Sequence, residues 1–264
     1  MELRIVVFIL IMLIVFIMLK KGMNVGIVML MSSIGVAVIT KITFSEYFSK
    51  SFEALISVNT ITLLLIMYLI LVIENIMRTS GMINNIVISV KNLFLDVRFS
   101  GIIMPIVIGM LPSPGGARFS CPIVDDVIGN SSSNVNKAYI NYWFRHIWMD
   151  GFILYPGIII ASKILNISEL DLFLRLIPFM LVAFLIGIIF SIRNVEKKVS
   201  VSKTTKKENL KSLLFSMLPI IILIFLYVIL LNFSELALEI SALIVSVGLL
   251  ILKKYNISNT LKAL

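Results

Sequence analysis

Only one cysteine, Cys121, and one histidine, His146, occur among the 264 residues. A single thiol excludes an intrachain disulfide and any cysteine-cluster metal site. A lone imidazole cannot build a multi-histidine zinc site. Charge is also scarce: 14% of residues are charged and 59% are hydrophobic, with a mean hydropathy of +1.08. A soluble domain could not cover so much apolar surface, so the composition predicts a polytopic membrane protein. Gly-x-Ser-x-Gly and His-Glu-x-x-His are absent and no paired-aspartate motif lies in a span, so neither an enzyme nor a cofactor is expected. The net charge of +9 would suit nucleic acid in a soluble protein. Here lysine and arginine fall in short loops between apolar runs, where they orient a chain in a bilayer.

Apolar segments cover about residues 3–19, 23–39, 57–77, 99–111, 147–162, 176–192, 213–231 and 236–252. The first lacks a small-x-small cleavage pattern and runs into Lys20-Lys21-Gly22, so a retained span is expected rather than a signal peptide. A perpendicular span needs about 20 residues. The segment 99–111 has only 13, with Pro105 inside it, and is too short to cross alone.

Positive loops set the orientation. Seven basic residues between Arg193 and Lys211 place that loop in the cytoplasm. Counting spans from there and from Lys20-Lys21 puts both 78–98 and 137–145 on the cytoplasmic side. The region 99–122 must then enter and leave by one face, as a re-entrant hairpin or broken element does. Residues 82–95 read either as a partial crossing or as an interfacial amphipathic helix. The fold expected is an all-α integral membrane protein of about seven transmembrane helices plus a re-entrant or broken helical element near 99–122. Residues 1–192 form a first repeat-like unit, 193–211 a basic cytoplasmic loop, and 213–264 the start of a second repeat.

The break itself reads Leu111-Pro112-Ser113-Pro114-Gly115-Gly116-Ala117-Arg118-Phe119-Ser120-Cys121-Pro122. Prolines remove backbone donors, and adjacent glycines open conformations that a Cβ forbids. Irregular backbone at membrane depth survives only when buried in protein or lining a wet cavity, and transporters place substrate at such breaks.

The run from Leu111 to Asp125 is followed by Asn141-Tyr142-Trp143-Phe144-Arg145-His146-Ile147-Trp148 and by Leu154-Tyr155-Pro156-Gly157. Together these resemble the family called domain of unknown function 401, multi-span proteins of bacteria and archaea that are similar to the ion-transporter superfamily. The resemblance implies a carrier of the inner (plasma) membrane. It also implies longer members with a second half, and an acidic residue directly after Trp148 where this chain has Met149 and then Asp150.

Candidate substrate-binding residues are Ser113, Gly115, Gly116, Arg118 and Ser120. Free N–H groups at a helix start favour an anion, and the two hydroxyls add donors. The competing view is a structural hairpin tip with no ligand. Arg118 is placed either to neutralise a carboxylate or to snorkel to the interface. Candidates for a coupling ion or proton relay are Asp125, Arg145, His146 and Asp150. Asp125 is open to plain solvation or capping instead. His146 and Asp150 share a helix face if the helix continues, although Trp143 and Trp148 also fit an interfacial belt. Glu74 and Glu239 lie near span ends and read as interfacial, and Tyr155-Pro156-Gly157 reads as a kink.

The function expected is secondary transport of a small organic anion such as a carboxylate, coupled to H+ or Na+. The partners expected are membrane lipid, that anion, and a homo-oligomer or complementary half. The alternative is a non-transporting membrane subunit or a truncated remnant that needs a partner.

Overall fold

The computed structural model describes residues 2–110, 116–199 and 205–253. Among these, regular structure is helical, apart from one isolated antiparallel bridge between Asp96 and Val199. The chain divides into two compact units, 1–61 and 62–264.

In the first unit, α1 (Glu2–Lys20) packs on α2 (Val25–Ile39) through Ile11, Val15 and Val28. The Asn24 side chain caps α2 by accepting from the Gly26 and Ile27 amides. A reciprocal cap between Thr43 and Glu46 starts α3 (Phe44–Ile56), satisfying donors that a helix start leaves free. This helix is amphipathic: Phe44, Phe48, Phe52 and Leu55 share one exposed face, opposite Glu46, Lys50 and Glu53.

The second unit takes in most of α4 (Val58–Thr79), then α5 (Met82–Leu93), α6 (Val97–Gly109) and α7 (Gly116–Ile128). After them come α8 (Asn134–His146), α9 (Pro156–Leu165), α10 (Glu169–Ile192), α11 (Lys206–Leu230) and α12 (Ala237–Lys253). Its core gathers Ile66, Ile73 and Met77 of α4, Val90 of α5, Met104 of α6 and Leu223 of α11. Three helices, α4, α10 and α11, are long and apolar enough to cross a membrane. Other apolar segments, including α6, α9 and α12, form shorter helices.

Helices α6 and α7 make an antiparallel hairpin. A Cβ on Gly101, near the start of α6, would come within 2.8 Å of Ile128 at the end of α7. Each arm has 13 residues, or about 20 Å at 1.5 Å per residue. The outer ends of the arms meet the basic connection between α10 and α11. The Val97 amide donates to the Lys198 carbonyl at 3.0 Å, and the Glu196 amide donates to Ser131 at 2.7 Å. Lys91 pairs with Asp126 at 2.8 Å in the same place. This is the basic end of the unit.

At the opposite end, the starts of α4, α10 and α12 meet the ends of α9 and α11. Lys163 donates to Thr62 and lies 3.5 Å from Glu239. Tyr227 donates to Glu169 at 2.9 Å, and Ser162 reaches the same carboxylate at 2.9 Å. Glu239, near a span end, is buried within the protein. Its neighbour Lys163 compensates the charge, as buried carboxylates require.

The backbone breaks where residues 147–162 read as one apolar span. Helix α8 ends at His146, a 3-10 turn covers Ile147–Asp150, and α9 begins at Pro156. Proline fits a first helical position, where its missing N–H costs nothing, so Pro156 starts a helix instead of kinking one.

Candidate functional site

Three chain breaks lie close together inside the second unit. The first is the link between α4 and α5, where Gly81 takes a φ of +79° that a side chain would resist. The C-terminal end of α5 meets the start of α11, because Asn92 donates to Asn209 at 3.3 Å. The rest of α5 packs along α11. Ten residues from Asn92 back to Met82 rise about 15 Å, which brings Gly81 roughly half way up α11.

The second break is the connection between α6 and α7. Residues 111–115, including the candidates Ser113 and Gly115, lie outside the described residues. Gly116 opens α7, and Arg118 belongs to that helix although its side chain is outside the description. The end of α6 is described, and its last carbonyls have no intrahelical donor to meet them. The Trp148 indole donates to the Ile106 carbonyl at 2.7 Å. The Tyr155 hydroxyl donates to the Gly109 carbonyl at 2.6 Å. The third break, 147–155, is therefore built around the end of α6.

Asn141 and Arg145 of α8, and Trp148 of the 3-10 turn that follows it, meet the hairpin. Buried Ser120 of α7 donates to the Asn141 side chain at 2.6 Å. The Arg145 carbonyl lies 2.6 Å from where a Cβ of Gly109 would sit, so only glycine lets α6 and α8 approach so closely. Trp143 faces elsewhere and donates to Ala183 of α10 at 2.9 Å. The two tryptophans thus serve as hydrogen-bond donors inside the fold, on different faces.

Arg145 is only 4% exposed and lies within electrostatic range of Tyr155, Glu74 and Arg78. Glu74 is buried and accepts from Arg78 at 2.5 Å. Sequence position suggests an interfacial Glu74; the structure buries it because α4 runs on to Thr79 and α5 continues the path. The signal that could have found it is the spacing Glu74–Arg78, an i,i+4 ion pair within an apolar helix.

The remaining candidates sit apart from this cluster. Asp125 is exposed at the basic end and pairs with Lys137. His146 donates through Nδ1 to the Tyr142 carbonyl at 2.5 Å and stacks on that ring at 4.2 Å. Asp150 is exposed in the 3-10 turn. Because α8 stops at His146, the shared face expected for His146 and Asp150 does not form. Among the described residues, no group of three or more His, Cys, Asp or Glu could hold a metal ion.

A family model described as a protein of unknown function (DUF401) matches residues 3–264. The chain belongs to this family. No curated protein and no solved structure matches it. The DUF401 model covers all three motif blocks, which the fold brings together around the end of α6.

Proposed function

We propose that this DUF401 protein is a secondary carrier for a small organic anion, with its binding site where the three breaks converge. The observation that carries this reading is the pair of hydrogen bonds from Trp148 and Tyr155 to the end of α6. They join a hairpin too short to cross with a discontinuous helix pair. Irregular backbone at membrane depth is tolerated where it is buried in protein or lines a wet cavity, and transporters place substrate at such breaks.

The topology of this reading follows from the two ends of the unit. Seven loop cations make the basic end cytoplasmic. The pairs α4–α5 and α8–α9 each cross once as a broken helix, while α10, α11 and α12 cross intact. The hairpin α6–α7 enters and leaves from the cytoplasm. Its arms of about 20 Å are shorter than the ~30 Å apolar core of a bilayer.

Charge supports an anionic ligand. Arg145 and Arg78 supply two guanidiniums near the breaks against the one carboxylate of Glu74. Buried charge in a membrane interior is expensive and marks a transport path. In this reading Arg145 binds the substrate carboxylate, Glu74 is its counter-charge when substrate is absent, and the start of α7 at Gly116 contributes backbone donors. Ser120 holds α7 on α8 through Asn141. Coupling to H+ or Na+ is assigned nearer Glu74 than to Asp125, which sits at the basic end.

Uptake of labelled mono-, di- and tricarboxylates into proteoliposomes, under imposed H+ and Na+ gradients, tests the proposal. Saturable uptake of at least one acid is expected, abolished by Arg145→Gln and reduced by Arg118→Ala. No accumulation of any acid under either gradient would refute carboxylate transport.

A further inference from the structure

A groove of about 780 Å³ lies between α8 and α10, on the side of α8 away from the hairpin. Its use rests on the orientation proposed above, with α10 crossing the bilayer and the basic end cytoplasmic, and is independent of any transport activity. Its composition changes along its length. Ser133, Asn136 and Asn194, with the apolar Val135 among them, line the part at the basic end. Tyr139, Trp143, Ile186 and Phe190 line the rest.

The polar part is held firmly. Asn136 donates to Ser132 at 2.8 Å and to the Ser191 carbonyl at 3.3 Å, and Ser132 reaches the Asn194 carbonyl. The apolar part has a fixed floor. Trp143 is pinned by its bond to Ala183, and it lies against Gly187, where a Cβ would come within 2.4 Å of the indole. From Asn194 to Ile186 the groove climbs about 12 Å, most of the ~15 Å depth of one leaflet's apolar layer. Exposed Arg193 adjoins Asn194 in the chain; beyond it Lys198 pairs with Glu196 at 3.6 Å and Lys197 lies within electrostatic range of Asp96.

We propose that this groove binds one anionic phospholipid of the cytoplasmic leaflet, with an acyl chain on Trp143 and the headgroup at Arg193 and Asn194. Three features select this occupant. The polar-to-apolar gradient runs along the bilayer normal, its length matches a chain segment within one leaflet, and exposed Arg193 stands beside its polar end.

The test uses the full chain in phosphatidylcholine vesicles carrying a few mole per cent of brominated phosphatidylglycerol or brominated phosphatidylcholine. Bromine quenches tryptophan on contact, and the chain has only Trp143 and Trp148. Quenching by the phosphatidylglycerol should saturate at low mole fraction and exceed that by phosphatidylcholine severalfold. Trp143→Phe should remove this selective part, and Arg193→Gln should reduce it to the phosphatidylcholine level. Equal quenching by both lipids, rising in proportion to mole fraction, would mean ordinary annular contact and would overturn the site. Saturable quenching that persists in Trp143→Phe would move the lipid elsewhere and overturn it equally.

Discussion

Gly109 and Gly157 offer a matched pair, since both lie beside the end of α6 or the start of α9 but only one is crowded. A Cβ on Gly109 would strike the Arg145 carbonyl at 2.6 Å, whereas one on Gly157 meets nothing within 4 Å. Backbone cannot step aside as a side-chain tip can. Gly109→Ala is therefore expected to destabilise by about 1–3 kcal/mol, and Gly157→Ala to lie within about 0.5 kcal/mol of wild type. Thermal unfolding in detergent measures both. Tyr155→Phe leaves the Gly109 carbonyl without its donor, a loss of about 1–3 kcal/mol for a buried group. It should lower the melting temperature with little change in helix content. The chemistry of Trp148 and Tyr155 was only half legible in the sequence. Their types mark amphipathic positions, but the partners are carbonyls some forty residues away, exposed only because α6 ends at the Pro-Gly run. The burial of Glu74 is illegible for a related reason: the sequence does not show that α5 continues past the end of α4 and packs the unit around it.

Asp96 controls how the hairpin begins. Its carboxylate caps α6 by accepting from the Arg98 amide at 3.0 Å and grips the Arg98 guanidinium at 3.1 and 2.7 Å. Those Arg98 side-chain bonds hold its pKa below the ordinary aspartate value, against a smaller opposing effect of burial. A carboxyl whose pKa is lower in the folded state stabilises it above the unfolded value near 3.9. That contribution disappears as pH falls through the folded value. Asp96→Ala should cost about 1 kcal/mol at neutral pH, as lost caps do. On acidification from about pH 5 to 3, wild type should lose more melting temperature than Asp96→Asn; equal loss would show that Asp96 does not govern this acid response. At the scale of elements, apolar segments located most helices, and residues 82–95 proved to hold a short helix of 12 residues. Within 147–162 the sequence marks Tyr155-Pro156-Gly157 as a kink, but not the full break that ends α8 at His146 and restarts the helix at Pro156. The bonds from Trp148 and Tyr155 to α6 that fill this break join residues some forty positions apart, and no local composition records them.

For the whole molecule, loop charge and span parity already implied that 99–122 returns to the face it leaves. In the described structure the outer ends of α6 and α7 both meet the 194–199 segment at the basic end, which supports this proposal. The claim that this end is cytoplasmic and that the hairpin is re-entrant underlies the carrier reading. Single cysteines in a Cys121→Ser background test it most directly, labelled by a membrane-impermeant maleimide in right-side-out and inverted vesicles. Phe94→Cys, Asn130→Cys and Glu196→Cys should all react in inverted vesicles, and Glu235→Cys only in right-side-out ones. Labelling of Phe94→Cys and Asn130→Cys from opposite faces would contradict the account, because the hairpin would then be a crossing.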